Sequence, residues 1–354
     1  MRPIKAIISI DAIAHNLRVA RQHAGATKLM SVVKANAYGH GLSRAVRALS
    51  STDGFAVLTL EEAASLRSMG VSKPILLLEG VFDAGELAAC AELDLCPVIH
   101  HAQQLEWLEH QPPASALRIF LKFDSGMHRL GFALAEFDAV LHRAKNLPAV
   151  ADLTLMTHFA QADEDAGIAS ALHAFQAHAA PTQLPWSTAN SAALLRYPEA
   201  LGTWARPGIM LYGASPFADT SAQSLGLKPA MSLQSEIIAV QTLRAGEGIG
   251  YGHLYRAERA MRVGIVAAGY ADGYPRHAPT GTPILVNGKR TRTLGRVSMD
   301  MLCVDLSDIP EAQIGSPVGL WGEDLAVEEV AHAAGTVSYE LLCALAARVP
   351  VVEA

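Results

Sequence analysis

Residues 31–41, SVVKANAYGHG, carry an apolar, strand-like run into Lys34 and then straight into small and polar residues. A lysine at a strand end usually lays its stem along apolar surface and leaves its ammonium in water. An amine kept in a pocket can instead condense with a carbonyl to form a Schiff base. Other reactive residue types recur at the ends of later apolar runs. Lys122 and Asp124 end LRIFLKFD, and Arg129 follows in DSGMHRLG. His158 lies at the end of ADLTLMTHF, Asn190 closes PWSTAN with Ser191 directly after it, and Arg206, Gly208 and Ile209 lie within WARPGIMLYG.

The elements that must position these residues alternate. Strand-like runs at 28–34, 54–60, 74–80, 95–100, 117–124, 151–159, 185–190 and 204–213 are separated for the most part by helical patterns such as EEAASLRSMG, HAQQLEWLEH and EDAGIASALHAFQAHA. Eight strands alternating with helices predict an α/β fold, a (β/α)8 barrel of the TIM type, in which active sites collect at the C-terminal ends of the strands. An open doubly wound sheet is the rival, but no GxGxxG follows the first strand. Taken singly, each residue has a plain structural explanation. Lys34 is then a strand-end lysine, His158 a hydrogen-bonded core histidine, Ser191 the N-cap of the helix SAALLRYP, and Arg206 half of an ion pair. Their gathering at one end of one barrel is what points to a site. Barrels often bind phosphate through the loops after strands seven and eight, where Ser191 offers a hydroxyl and Gly208 a close-approaching backbone. An aldehyde-bearing phosphate cofactor, pyridoxal phosphate, would then account for Lys34.

After about residue 230 the texture changes to strand formers with glycine turns, and Asn287–Gly288 is a strong hairpin signal. The chain is therefore divided into a barrel over 1–230 and a mainly-β C-terminal domain over 231–354. Tyr251 in GEGIGYGHLY, Tyr270 in GYADGYPR, and Met299 and Asp300 in GRVSMDM are the unusual residues of this half. The glycine run lacks the strand–turn–helix context and lysine of a nucleotide loop. With 354 residues, 51% of them hydrophobic, the chain can build a large core. A net charge of −6 without basic clusters argues against nucleic acid. Cys90, Cys96, Cys303 and Cys343 show no metal-ligand spacing, so no metal is expected, and they suit buried, reduced thiols in a cytoplasmic protein. No apolar run is long enough to span a membrane.

Taken together, SVVKANAYGHG, LKFDSGMHRLGF, THFAQADE, ANSAALLRYP, WARPGIMLYG, GYGHLY, GYADGYPR and GRVSMDM resemble the alanine racemase family, nearly end to end and in order. The resemblance implies a pyridoxal-phosphate barrel with a C-terminal β domain, working as a homodimer with shared active sites on L-alanine and D-alanine, for peptidoglycan supply or alanine catabolism. It implies that Lys34 holds the cofactor as an internal aldimine and that Lys34 and Tyr251 of the partner subunit are the two bases acting on the external aldimine. It further implies that Arg206 bonds the pyridine nitrogen, with His158 beside it. Tyr38, Ser191, Gly208, Ile209 and Tyr339 would hold the phosphate, and Asn190 would also bind the cofactor. Arg129 would bond the phenolic oxygen and Met299 would place its backbone near the substrate carboxylate. Tyr270 and Asp300 would stand at the entrance. Lys122 matches a position that is carbamylated in some members. Two acid–base groups on opposite faces are what removal of a proton from one side and its return on the other require. The rivals are a decarboxylase of the same cofactor-barrel class, a racemase of broader range, a non-enzymatic pyridoxal-phosphate carrier, and a structural or interaction protein with no cofactor, against which the joint placement of the reactive residues argues. The carrier resembles the barrel alone, and the decarboxylase would not be expected to carry the GYG tyrosine or the arginine pyridine partner.

Overall fold

The structure, a computed structural model, describes residues 2–354. The chain divides into two compact units. One comprises Asn16–Ala37 and Gly41–Leu211; the other takes the N-terminal residues through His15, Tyr38–His40 and Tyr212–Ala354.

The first unit is a closed barrel of eight parallel strands: Lys28–Val32, Gly54–Val57, Ile75–Leu77, Leu95–Ile99, Leu117–Asp124, Val150–Met156, Trp186–Ser187 and Trp204–Ala205. All eight predicted strands are present, including the one within PWSTAN, which shrinks to two residues. The ring closes where Trp204 pairs with Lys28, and the Lys28 ammonium lies 5.4 Å from the centroid of the Trp204 ring, a cation–π contact across the seam. The strands read as near-continuous apolar runs because both of their faces are covered. Ile75–Leu77 and Leu95–Ile99, for example, are buried at every position. Helices return the chain between strands. Leu60–Ser68 starts on Thr59, whose hydroxyl accepts the Glu62 N–H, and it stops before Gly70 at φ 82°.

The second unit is built around the 13-residue strand Met231–Leu243, which pairs with Lys5–Ile8, Pro317–Trp321 and Met261–Val266. Pro283–Val286 and Lys289–Leu294 form the hairpin expected at Asn287–Gly288, where both turn residues have positive φ. The N-terminal strand Lys5–Ile8 lies between Met231–Leu243 and Val351–Glu353 in this sheet, so in space the division of the chain is not a single cut near residue 230. None of the four cysteines is in a disulfide. Cys343 is exposed, contrary to the expectation of buried thiols, because it closes the short surface helix Ser338–Cys343. Among the described residues, no helix is long and apolar enough to cross a membrane, and no group of three or more side chains has the make-up of a metal site.

Candidate active site

The first barrel strand ends at Val32, two residues earlier than the sequence suggests, and Lys34 opens a turn instead of ending a strand. Ala35, Asn36, Ala37 and Tyr38 all have φ between 52° and 56°, so four consecutive L-residues are left-handed. Each such residue costs about 1–2 kcal/mol, so the turn persists only because its surroundings hold it. Glu62 accepts the Ala35 N–H at 2.8 Å, and Asn36 accepts N–H groups from Gly41 and Leu42 through its main-chain and side-chain oxygens. Lys34 is half-buried, and its ammonium makes no hydrogen bond or ion pair among the described residues.

Arg206 directly follows the last barrel strand, Trp204–Ala205, and therefore stands at a strand's C-terminal end. It is buried, and its two Nη atoms are spoken for. Nη1 donates to Ser187 Oγ at 2.6 Å; Nη2 donates to the Thr157 and Thr188 carbonyls at 2.9 and 3.3 Å and lies 3.3 Å from His158 Nδ1. Nε–H makes no hydrogen bond among the described residues. Arg206 is thus a cation held by dipoles and not half of an ion pair. Burial draws its pKa down to about 10, which still leaves it charged at neutral pH. Burial first, then Arg206, Lys122, Arg129 and Lys34, push His158 well below the ordinary imidazole range. His158 is therefore neutral, and its Nδ1 accepts from the guanidinium.

Lys122, near the end of the fifth strand, is 5% exposed and has no hydrogen bond or ion pair among the described residues. Burial, with repulsion from Arg206 and Arg129, pulls its pKa to about 8 against the opposing pull of Asp124 and Glu79. Asp124 shapes the loop that carries Arg129. Its Oδ1 accepts the N–H groups of Gly126, Met127 and His128 at 2.9–3.1 Å. Arg129 itself is exposed. Asn190, not Ser191, caps the helix Ser191–Arg196, accepting the Ala193 N–H at 2.9 Å. Ser191 Oγ is thereby released to accept the Gly208 N–H at 2.8 Å, which joins the loops after strands seven and eight and leaves the hydroxyl hydrogen to donate elsewhere. Ile209 is buried just beyond Gly208.

The remaining candidates belong to the β-rich unit. Tyr38 is buried; its ring lies 4.7 Å from that of Tyr212 and 6.2 Å from that of Tyr339. Burial, with Tyr339 and Cys343 adding to it, raises the Tyr38 phenol well above its ordinary range, so it stays a donor. Tyr251 sits on a short 3-10 turn, Tyr251–His253, between the paired strands Gly248–Ile249 and Tyr255–Arg256. Ile249 and Tyr255 anchor that ribbon on a cluster of Ala257, Met261, Val263 and Leu294, while Tyr251 is 70% exposed. Tyr270 and Met299 lie on adjoining turns, the Ala271 N–H donating to the Met299 carbonyl at 3.0 Å. The Met299 N–H has no partner among the described residues. Asp272 ties these turns down. Fully buried, it accepts from Arg2, Arg348 and the Gly269 N–H, and Arg348 also reaches Asp300 at 2.7 Å. His40, Tyr212, Asp272, Arg2 and Arg348 were not singled out from the sequence. Only Asp272 carried a signal, as the charged centre of GYADGYPR.

The family models of the alanine racemase N-terminal domain and C-terminal domain match residues 8–216 and 230–353. The chain is 72% identical to an alanine racemase of Thiobacillus denitrificans, over 100% of this chain and 96% of that protein. It is 52% identical to a catabolic alanine racemase of Salmonella typhimurium, over 99% of each. The solved structure of the biosynthetic alanine racemase of Pseudomonas aeruginosa superposes with a TM-score of 0.97 at 50% identity, covering both chains completely.

Proposed function

Since the chain belongs to the alanine racemase family, we propose that it is an isomerase interconverting L-alanine and D-alanine with pyridoxal phosphate as cofactor. The observation that carries this reading is Lys34: a half-buried amine at the barrel mouth with no partner among the described residues, as a Schiff-base lysine requires. Other residues fit the same group. Arg206 has one donor, Nε–H, left for a pyridine nitrogen. Tyr38 is held protonated, and Ser191 keeps a hydroxyl hydrogen, so both suit an anionic phosphate. Gly208, Ile209 and Tyr339 complete the phosphate set, with Asn190 fixing the backbone before Ser191.

Bound there, pyridoxal phosphate supplies a carbonyl that captures the substrate amine and an electron-withdrawing ring that acidifies its α-C–H. The chain's own groups do the rest. Lys34 would hold or move the proton on the D-alanine face. Tyr251 of the partner subunit does so on the L-alanine face. Arg206 stays cationic and does not hand a proton to the ring nitrogen, and neutral His158 keeps the guanidinium in place. Arg129 bonds the phenolic oxygen, the Met299 N–H receives the substrate carboxylate, and Tyr270 and Asp300 line the entrance. The homodimer is supported by large apolar side chains that the β-rich unit leaves exposed, among them the second base Tyr251 and, on the same short segment, Leu254 at 63% exposure. Catabolic and biosynthetic relatives match alike, and the reaction is the same in both.

The test is incubation with L-alanine in deuterium oxide, following the circular dichroism of the alanine together with its α-deuterium content. Loss of optical signal with α-deuteration, and without pyruvate or amine, is expected. An unchanged signal from cofactor-loaded protein, or release of an amine, would overturn the assignment in favour of a carrier or a decarboxylase.

A further inference from the structure

Three buried aromatic rings, one of them that of Tyr38, lie in a row in the β-rich unit. The His40 ring centroid lies 4.6 Å from that of Tyr212, and Tyr212 lies 4.7 Å from Tyr38. His40 and Tyr212 are 0% and 1% exposed. The His40 Nδ1–H also donates to the Tyr38 carbonyl at 2.9 Å. That contact fixes the tautomer and grips the residue that ends the left-handed run, where a bulky side chain is least at home. Between them, Gly39 has φ 81°, and a Cβ there would meet the Leu342 carbonyl oxygen at 2.2 Å. The chain therefore runs hard against the helix Ser338–Cys343, which bears Tyr339. The Tyr38 phenol is thus held from three sides: His40 at its backbone, Tyr212 at its ring face, and the glycine approach that sets its distance from Tyr339.

We infer that His40 is a positioning residue for the cofactor phosphate: through Tyr212 and the Tyr38 carbonyl it aims the Tyr38 hydroxyl, and it touches neither cofactor nor substrate. The role rests on the reading that Tyr38 binds the phosphate. A phenol on a mobile side chain would lose rotamer freedom each time it bound the anion. One already locked by packing has lost it on folding, so more of the hydrogen bond appears as affinity.

The experiment is a titration of the full-length apoenzyme with pyridoxal phosphate and with pyridoxal, which lacks the phosphate, followed by the change in cofactor absorbance. Wild type, His40→Phe, His40→Asn, Tyr38→Phe and the His40→Phe/Tyr38→Phe double variant are compared. His40→Phe keeps an aromatic ring and loses the hydrogen bond; His40→Asn keeps a donor and loses the ring, so a folding failure in one leaves the other. About a tenfold loss of pyridoxal phosphate affinity is expected, with pyridoxal affinity unchanged. In the Tyr38→Phe background no further loss is expected, because the phenol that His40 aims is gone. The phosphorus resonance of the bound cofactor should shift in the His40 variants. Equal losses for the two ligands, no loss in folded protein, or full additivity with Tyr38→Phe would overturn the positioning role while leaving Tyr38 on the phosphate. If Tyr38→Phe alone leaves the pyridoxal phosphate affinity intact, the phosphate reading of Tyr38 fails, and the role of His40 with it.

Discussion

Carbon dioxide should add to Lys122, and the structure sets how readily. The reaction, Lys–NH2 plus CO2 giving Lys–NH–COO− and a proton, uses only the free base. A lysine of ordinary pKa, 10.5, is about 0.03% free base at pH 7; with the pKa drawn to about 8, about 10% is free. Burial and two arginines therefore raise the reactive form roughly 300-fold. The product also removes the reason for the depressed pKa. A buried cation facing Arg129 and Arg206 becomes an anion facing them, and its oxygens accept hydrogen bonds that the ammonium could not. The assay is carbon-13 NMR of the enzyme in labelled bicarbonate, with Lys122→Gln as the blank, alongside racemisation rates before and after CO2 stripping. A carbamate resonance is expected in wild type only, and the stripped enzyme should regain activity on return of bicarbonate with the same dose dependence as the resonance. No labelled carbon on Lys122 at saturating bicarbonate would refute the reasoning, as would a Lys122 amine that titrates near 10.5 when followed directly by NMR.

Mixing inactive Lys34→Ala and Tyr251→Ala subunits should restore up to about a quarter of the sites if half the dimers are mixed and each mixed dimer has one intact site; no recovery after verified subunit exchange would count against shared sites. Arg206→Glu should raise the yield of transaminated by-product per racemisation turnover, since a carboxyl can keep the ring nitrogen protonated where the guanidinium cannot; an unchanged ratio, read as pyruvate against D-alanine, would remove that account. Asp272→Asn should lower stability by about 2–3 kcal/mol, less than for a fully buried pair because Arg2 and Arg348 are both about two-fifths exposed and can rehydrate. Burial opposes the charge on Asp272, but Arg2, Arg348 and the Gly269 N–H outweigh it and hold the pKa below the usual carboxylate value. The contribution is therefore complete above about pH 5 and is lost as pH falls through the depressed value, so urea midpoints of variant and wild type should converge in acid. Gly39→Ala should cost about 2 kcal/mol or more and loosen the cofactor, since the new methyl meets a carbonyl at a φ that favours glycine; a wild-type midpoint and normal cofactor retention would argue against the close approach.

Much of the barrel was legible because parallel strands covered on both faces are written as unbroken apolar runs, and eight of them between helical patterns leave few alternatives. The strand at Trp186–Ser187 is two residues long and was visible only through the rhythm of its neighbours. The left-handed turn after Val33 was hidden, because Ala35 and Ala37 carry no propensity for positive φ, and only the surrounding hydrogen bonds hold them there. The candidate residues stood out by type at strand ends. Their states did not. That Lys122 is buried without a hydrogen bond or ion pair among the described residues, and that His158 is neutral, depend on groups such as Arg206 that lie far from both along the chain, and no local pattern encodes them; the Asn190 cap is local, but that it frees Ser191 for the Gly208 N–H is not. Asp272 and its arginines are the extreme case, since Arg2 and Asp272 are brought together from 270 residues apart.

The placement of Lys5–Ile8 between Met231–Leu243 and Val351–Glu353 bears on how the protein is made. Synthesis is vectorial, so the first strand leaves the ribosome roughly 220 residues before its first partner exists, an interval of about 10–45 s at ordinary elongation rates. Throughout it, Ala6 and Ile8, fully buried in the finished protein, have no sheet to join. The barrel can assemble in the meantime, but the segment ahead of it remains an open edge of the kind that recruits other nascent chains or a chaperone. Translation that stops short of residue 231 therefore leaves a barrel trailing an adhesive leader.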